Sequence, residues 1–245
     1  MGNTSPVKTK TLTARNDRQL LYIKLINSQD LVFGLGPAGT GKTYIAAFKA
    51  AEALEKGEVK KIVVTRPIVE AGENIGFLPG DIGEKIDPYF IPIREALAER
   101  MGKGQFEYAL KDGKIEFAPF AFMRGRTFND AFVILDEAQN TTPSQMKMFL
   151  TRAGERSKLV VNGDLLQSDI QGPNGLLDAV KRFEGRQHVG VMKFGREDVV
   201  RSGLAALAVE AYEGEDSREQ DDALGKLPDF IRNPTINTVA DNRYR

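Results

Sequence analysis

Apolar positions along this chain come in short runs, and helical patterns separate the runs. Leu31–Leu35, Lys61–Arg66 (KIVVTR), Phe132–Leu135, Lys158–Val161 and His188–Phe194 are compact, mostly β-branched or aromatic, and bounded by glycine, proline or charge. Such runs read as strands buried on both faces, the pattern of a parallel sheet. Ile115–Phe117 alternates apolar and polar and predicts a further short strand. Between the runs the period becomes helical. Asp17–Asn27 places Leu20, Ile23, Leu25 and Ile26 near one face, and Tyr44–Lys56 ends at Gly57. Tyr89–Met101 is amphipathic and stops at Gly102. Thr142-Pro143-Ser144-Gln145 opens a helix with a capping threonine, proline at the first position and glutamine three residues after the cap. That helix runs through Leu150 to a stop at Gly154, and Asn174–Phe183 predicts another. Gly195–Tyr212 carries Arg196, Asp198 and Arg201, then an Ala/Leu-rich helix. Strand alternating with helix predicts an α/β fold: a mainly parallel sheet with flanking helices and right-handed crossovers.

The ends depart from this rhythm. Residues 1–13 are polar and read as a mobile arm, so a single domain is expected over 14–212. Residues 213–222 hold six acidic side chains and one basic, and 213–245 is expected to be a solvated, partly disordered tail. Glu70–Asp87 is glycine- and acid-rich; Glu73, Asp81, Glu84 and Asp87 lack the spacing of metal ligands. Lys and Arg total 34 against 34 Asp and Glu, a net charge of +0. Any nucleic-acid contact must therefore come from a local patch. The absence of cysteine excludes disulfides, thiol nucleophiles and cysteine-bound metals. No apolar run reaches membrane-spanning length and the N-terminus lacks a signal-peptide core, so a cytoplasmic protein without a membrane partner is expected. His188, the only histidine, is assigned no role.

The candidate chemistry lies where strands end. Phe33–Thr43 reads FGLGPAGTGKT, in which Gly36, Pro37, Ala38, Gly39, Thr40, Gly41, Lys42 and Thr43 match G-x-x-x-x-G-K-[ST]. With a strand before it and a helix after it, this is the phosphate-cradling P-loop. Its glycines permit positive φ and close approach of backbone to phosphate, and its N–H groups form an anion site at a helix N-terminus. Lys42 is expected on the β and γ phosphates of ATP, and Thr43 on Mg²⁺. Phe132–Asn140 (FVILDEAQN) ends a buried strand in two carboxylates. Asp136 is expected to hold Mg²⁺, and Glu137 to take a proton from attacking water. A small-molecule kinase has no need of that second carboxylate. Asn162-Gly163-Asp164 with Gln167 ends the next strand and reads as a γ-phosphate sensor or as a simple turn. Gln19, just ahead of the P-loop strand, reads as an adenine contact or as a solvated helix-start residue. Arg66 stands at a strand end as a nucleic-acid phosphate contact or a plain surface arginine. Arg124 and Arg126, one glycine apart, suit a phosphate or a neighbouring acidic surface.

In this order the motifs resemble the PhoH family of phosphate-starvation-associated P-loop ATPases. The resemblance is carried by GPAGTGKT (36–43), RPIVEAGENIGFLPGD (66–81), EKIDPY (84–89), APFAFMRGRTFNDAFVILDEAQNTTPSQMKMFLTR (118–152) and Gly163-Asp164 with Gln167, and spans about residues 16–205. Gln19, the P-loop, Asp136-Glu137 and Gln167 also resemble the first core domain of superfamily-1 helicases. The resemblance implies a RecA-like core, ATP hydrolysis with Mg²⁺, homo-oligomeric rings with hexamers the family expectation, and a possible single-stranded RNA or DNA substrate. In that fold a strand is inserted between the P-loop strand and the Asp136 strand. One such core supplies half of a composite site, and a neighbouring subunit is expected to complete it with an arginine. Arg201 is the first candidate, followed by Arg196, Arg152, Arg124 and Arg126. Some members carry an RNA-cleaving PIN domain; only residues 213–245 follow Tyr212, and nuclease activity is not expected. The family usually continues from Arg201 with His-Pro-Leu, whereas this chain reads Ser202-Gly203-Leu204.

Overall fold

The computed structural model describes residues 10–68 and 86–200, with 203, 204 and 207 beyond them. Most of Glu70–Asp87, most of the 1–13 arm, Arg201, most of the Ala/Leu-rich helix and the 213–245 tail therefore lie outside the described residues. Six parallel strands form one sheet: β1 (Leu31–Leu35), β2 (Lys61–Arg66), β3 (Ile115–Pro119), β4 (Ala131–Leu135), β5 (Lys158–Gly163) and β6 (Val189–Lys193). Their order is β3-β2-β4-β5-β1-β6. β5 is thus inserted between the P-loop strand β1 and the Asp136 strand β4, the RecA-like arrangement expected above.

The helices are α1 (Asp17–Ser28), α2 (Lys42–Glu55), α3 (Ile91–Met101), α4 (Lys103–Lys111), α5 (Pro143–Leu150) and α6 (Gly175–Phe183). Successive strand residues point to opposite faces, so the continuous apolar runs feed two cores. Val32, Ile62, Val64, Phe132, Ile134 and Val160 pack under α1–α4. Phe33, Val63, Val133, Leu135, Leu159 and Val161 pack under α5 and α6. The α5 start is a complete capping box: the Gln145 N–H donates to Thr142 Oγ1, and the Thr142 N–H donates to Gln145 Oε1 at 2.8 Å.

Helix α4 is missing from the sequence reading. Gly102 does end α3, at φ 82°, but the chain turns at that glycine directly into a second helix. With only Phe106 and Ala109 buried in nine residues, α4 offers too short an apolar stripe to announce itself.

Candidate functional site

In a parallel sheet every strand delivers its C-terminal residue to the same edge, and ligands collect there. At this edge a cavity of about 410 Å³ is lined by the P-loop, by Asp136 and Glu137 after β4, and by Gly163, Asp164 and Gln167 at the end of β5. Pro92, Glu95, Ala96 and Glu99 of α3 form the facing wall, a contribution no motif announced.

The P-loop adopts its turn through Gly36, Gly39 and Gly41, at φ of 133°, 85° and 87°. Gly36 is doubly constrained, since a Cβ there would lie 2.4 Å from the Phe194 carbonyl oxygen. Lys42 is buried and folds back over the loop, donating to the carbonyls of Gly36 (2.6 Å) and Pro37 (2.7 Å) and to Thr40 Oγ1 (3.2 Å). Burial lowers its pKa, against the opposing pull of Asp164, Asp136 and Glu137. The Thr43 hydroxyl donates to Asp136 Oδ1 at 2.8 Å, joining the loop to the end of β4. Burial, reinforced by neighbouring Glu137, pushes the Asp136 carboxyl up to about 6. A desolvated carboxylate paired with a hydroxyl, its charge only partly offset by Arg66 and Lys42, fits a divalent cation. The lysine, glycine turn and Thr43–Asp136 pair together fit a nucleoside triphosphate with its metal. Among the described residues no cluster of three or more Asp, Glu or His side chains forms a metal cage.

Glu137 leaves the strand in the left-handed region, at φ 52°. This redirects its side chain away from that of Asp136, in a conformation that few non-glycine residues adopt. Its Oε2 accepts from Gln139 Nε2 at 2.5 Å, and its Oε1 lies 3.7 Å from Arg66 Nη2. Gln139 is the residue the motif reading passed over. It is 2% exposed, and its Oε1 accepts the Asp164 N–H at 3.0 Å, so one amide ties the end of β4 to the end of β5. Gly163 makes room for it: a Cβ there would stand 2.7 Å from Gln139 Oε1. Asn140 continues the stitching. Its Nδ2 donates to Asp169 Oδ2 and its Oδ1 accepts the Asp169 N–H, both at 2.9 Å. Only a buried glutamine two residues past the carboxylates hinted at this, and burial is invisible along the chain.

The other predicted residues divide. Gln167 reaches the cavity. Gln19 is buried beside the P-loop; its Nε2 donates to the Thr40 carbonyl (2.9 Å) and its Oε1 accepts the Arg15 N–H (2.9 Å). One end of its amide thus braces the loop and the other the chain just ahead of α1. Arg126 takes the acidic-surface alternative, binding Glu116 through both terminal nitrogens at 2.6 and 2.8 Å. Arg152 donates to the carbonyls of Met148 and Arg126, away from the cavity lining. Arg124 is exposed and makes no ion pair among the described residues. Val200, just before Arg201, donates its N–H to the Gly39 carbonyl at 2.9 Å, so this segment docks on the chain's own P-loop.

The family described as PhoH-like protein matches residues 11–213. Protein PhoH of Escherichia coli (strain K12) is 53% identical over 208 residues, covering 83% of this chain and 59% of that protein. A PhoH-like protein of Bacillus subtilis (strain 168) is 49% identical over 212 residues, covering 86% and 66%. The chain thus spans about three fifths to two thirds of the length of these relatives. Among solved structures, the UvsW helicase from bacteriophage T4 overlaps 63% of this chain and 54% of its own, at 14% identity and a TM-score of 0.42, too low for any conclusion to rest on it. With the family match over residues 11–213 and identity near one half over more than four fifths of its length, the chain belongs to the PhoH family.

Proposed function

We propose that this chain is a Mg²⁺-dependent ATPase that couples hydrolysis to the binding or remodelling of single-stranded RNA or DNA, working as a homo-oligomeric ring. The observation that carries the hydrolytic reading is the convergence of Lys42, the Thr43–Asp136 pair, Glu137 and Gln167 on one cavity. When bound, ATP with Mg²⁺ supplies the γ-phosphoryl group and the cation that neutralises its oxygens. Lys42 exchanges its two loop carbonyls for phosphate oxygens, and the loop N–H groups hold the phosphates from the helix end. Thr43 and Asp136 hold the cation. Glu137 accepts the proton of the attacking water, and Gln167 passes the state of the γ phosphate to the loop stitched onto Gln139 and Asn140. A positive charge at the transition state is worth about 10³–10⁵ in rate in comparable enzymes. In a ring a neighbouring subunit supplies it, with Arg201 the first residue to test.

The nucleic-acid half of the reading rests on Arg66 at the end of β2 and on exposed Arg124 just past the turn that follows β3. The test is the rate of phosphate release with and without single-stranded RNA and DNA, together with particle mass with and without ATP. Hydrolysis without stimulation by either strand would turn the reading to a protein whose assembly, rather than a nucleic-acid substrate, follows its nucleotide state. Transfer of phosphate to an added acceptor without phosphate release would overturn it.

A further inference from the structure

Glu137 accepts a proton more readily with no cation against it, yet Arg66 Nη2 stands 3.7 Å from its Oε1, while Gln139 donates to its Oε2. The two holds are unequal. Gln139 is 2% exposed and fixed at its other end by the Asp164 N–H, at hydrogen-bond distances throughout. Arg66 stands 3.7 Å away, with side-chain exposures of 26% for the arginine and 37% for the glutamate. An exposed pair of that kind shifts an equilibrium by up to about fivefold. Arg66 is the releasable hold. It also touches Tyr89, where Nη1 donates to the carbonyl at 3.3 Å and the guanidinium lies 5.8 Å from the ring centre, and its charge reaches Asp136.

What lies beyond Arg66 is set by the strand order. β2 sits between β4 and the edge strand β3, with Arg66 paired to Pro119. From Pro119 the chain turns through a 3-10 turn, Phe120–Met123. Phe120 and Met123 are buried, which leaves Phe122 pointing outward, 55% exposed, two residues before exposed Arg124. An exposed aromatic ring followed by an arginine without an ion pair is the combination that stacks a base and takes a phosphate. Across the sheet, the turn that carries Phe122 and Arg124 follows β3, Arg66 ends the neighbouring β2, and Glu137 follows β4 beyond it.

We infer that Arg66 latches Glu137 in the nucleic-acid-free protein, and that a single strand laid across the ends of β3 and β2, stacked on Phe122 with its phosphates on Arg124 and Arg66, draws the guanidinium off Glu137 and frees it for water. This rests on the hydrolytic reading above and adds the strand's position and the way its arrival is sensed. A phosphodiester competes well for Arg66 because the guanidinium binds phosphate in a two-pronged geometry that its loose contact with Glu137 lacks.

The test uses the full chain, a fluorescein-labelled oligo(dT) and an oligo(U) of equal length. Arg66→Ala is expected to raise phosphate release without oligonucleotide by about two- to fivefold, and to lose most of the stimulation that either oligonucleotide gives wild type. Arg66→Gln, which keeps a donor for the Tyr89 carbonyl, is expected to behave alike and guards against misfolding of the first variant. Fluorescence anisotropy without nucleotide is expected to show oligonucleotide affinity falling at least about fivefold in Phe122→Ala. Basal rates in both Arg66 variants at or below wild type, with stimulation intact, would overturn the latch while leaving ATP hydrolysis standing. Unchanged oligonucleotide affinity in Phe122→Ala would overturn the proposed path. Failure of wild type to release phosphate under any condition would remove the hydrolytic reading itself and the latch with it.

Discussion

Beneath the P-loop strand, the Tyr22 hydroxyl donates to Asn162 Oδ1 at 2.5 Å, and both side chains are fully buried. Burial raises the tyrosine pKa, so the group is a neutral donor at any working pH. Gly34 leaves the space for this pair: a Cβ there would come within 2.5 Å of Asn162 Oδ1 and 2.8 Å of the hydroxyl. Tyr22→Phe keeps the ring and its edge-on contact with Phe194, 5.5 Å between centres, and deletes only the donor. Asn162 would then be buried with neither end satisfied, because its Nδ2 already has no partner among the described residues. Stranding a buried polar group costs about 1–3 kcal/mol. Asn162→Leu strands the hydroxyl instead and should cost a similar amount. The double variant replaces both partners by apolar groups of comparable shape and should recover much of the loss, giving a coupling energy of about 1–2 kcal/mol. The assay is urea unfolding followed by circular dichroism, with thermal scans alongside. A loss of about 2 kcal/mol should lower Tm by roughly 4–8 °C for a domain of this size. Additive losses in the double variant, or a Tyr22→Phe protein as stable as wild type, would refute the claim that this hydrogen bond supports the P-loop strand.

Three further predictions follow from the site and its surroundings. ATP with Mg²⁺ at about 100 times its Kd should stabilise the wild-type chain by about 2.7 kcal/mol; Lys42→Ala should abolish the corresponding Tm increase, and an undiminished increase would refute the role of Lys42. Gln139→Glu retains an acceptor for the Asp164 N–H but sets a carboxylate against Glu137 Oε2. Loss of that charge-assisted bond, worth about 1.5–3 kcal/mol, should slow phosphate release by at least about tenfold while fluorescent-ATP affinity stays within about threefold; unchanged release refutes it. The Arg126 guanidinium holds the Glu116 carboxyl down to about 2 from its ordinary 4.5. A depressed carboxyl contributes stability above its unfolded value and loses it as pH falls through the folded value. The stability difference between wild type and Arg126→Ala should therefore be constant above about pH 4.5 and shrink between there and about pH 2, as acid titrations of both proteins would show; a difference that grows on acidification would contradict it.

Much of the fold was legible because the signals are local. The apolar runs named five of the six strands within a residue or two, and the alternating Ile115–Phe117 named the sixth. The threonine cap, proline and glutamine of α5 declared a helix start that needs no tertiary support. The P-loop and the Asp136-Glu137 strand end were equally plain, because a backbone that cradles phosphate demands glycines, a lysine and a hydroxyl at fixed spacing. The resemblance that these motifs carried agrees with the family match over residues 11–213.

Which of several polar residues share a hydrogen bond was decided only by the tertiary structure. Gln19, Gln139 and Gln167 look alike in sequence. Packing gives the first to the Thr40 carbonyl, the second to Glu137 and the Asp164 N–H, and the third to the cavity. Arg66, Arg124 and Arg126 are equally indistinct as letters, yet one faces Glu137, one faces solvent and one is held by Glu116. The physical reason is one of range. Backbone conformation and hydrophobic periodicity are set by neighbours in the chain, so they can be read along it. The partner of a long polar side chain is set by strand order and register, which join positions as far apart as Tyr22 and Asn162 and have no local signature.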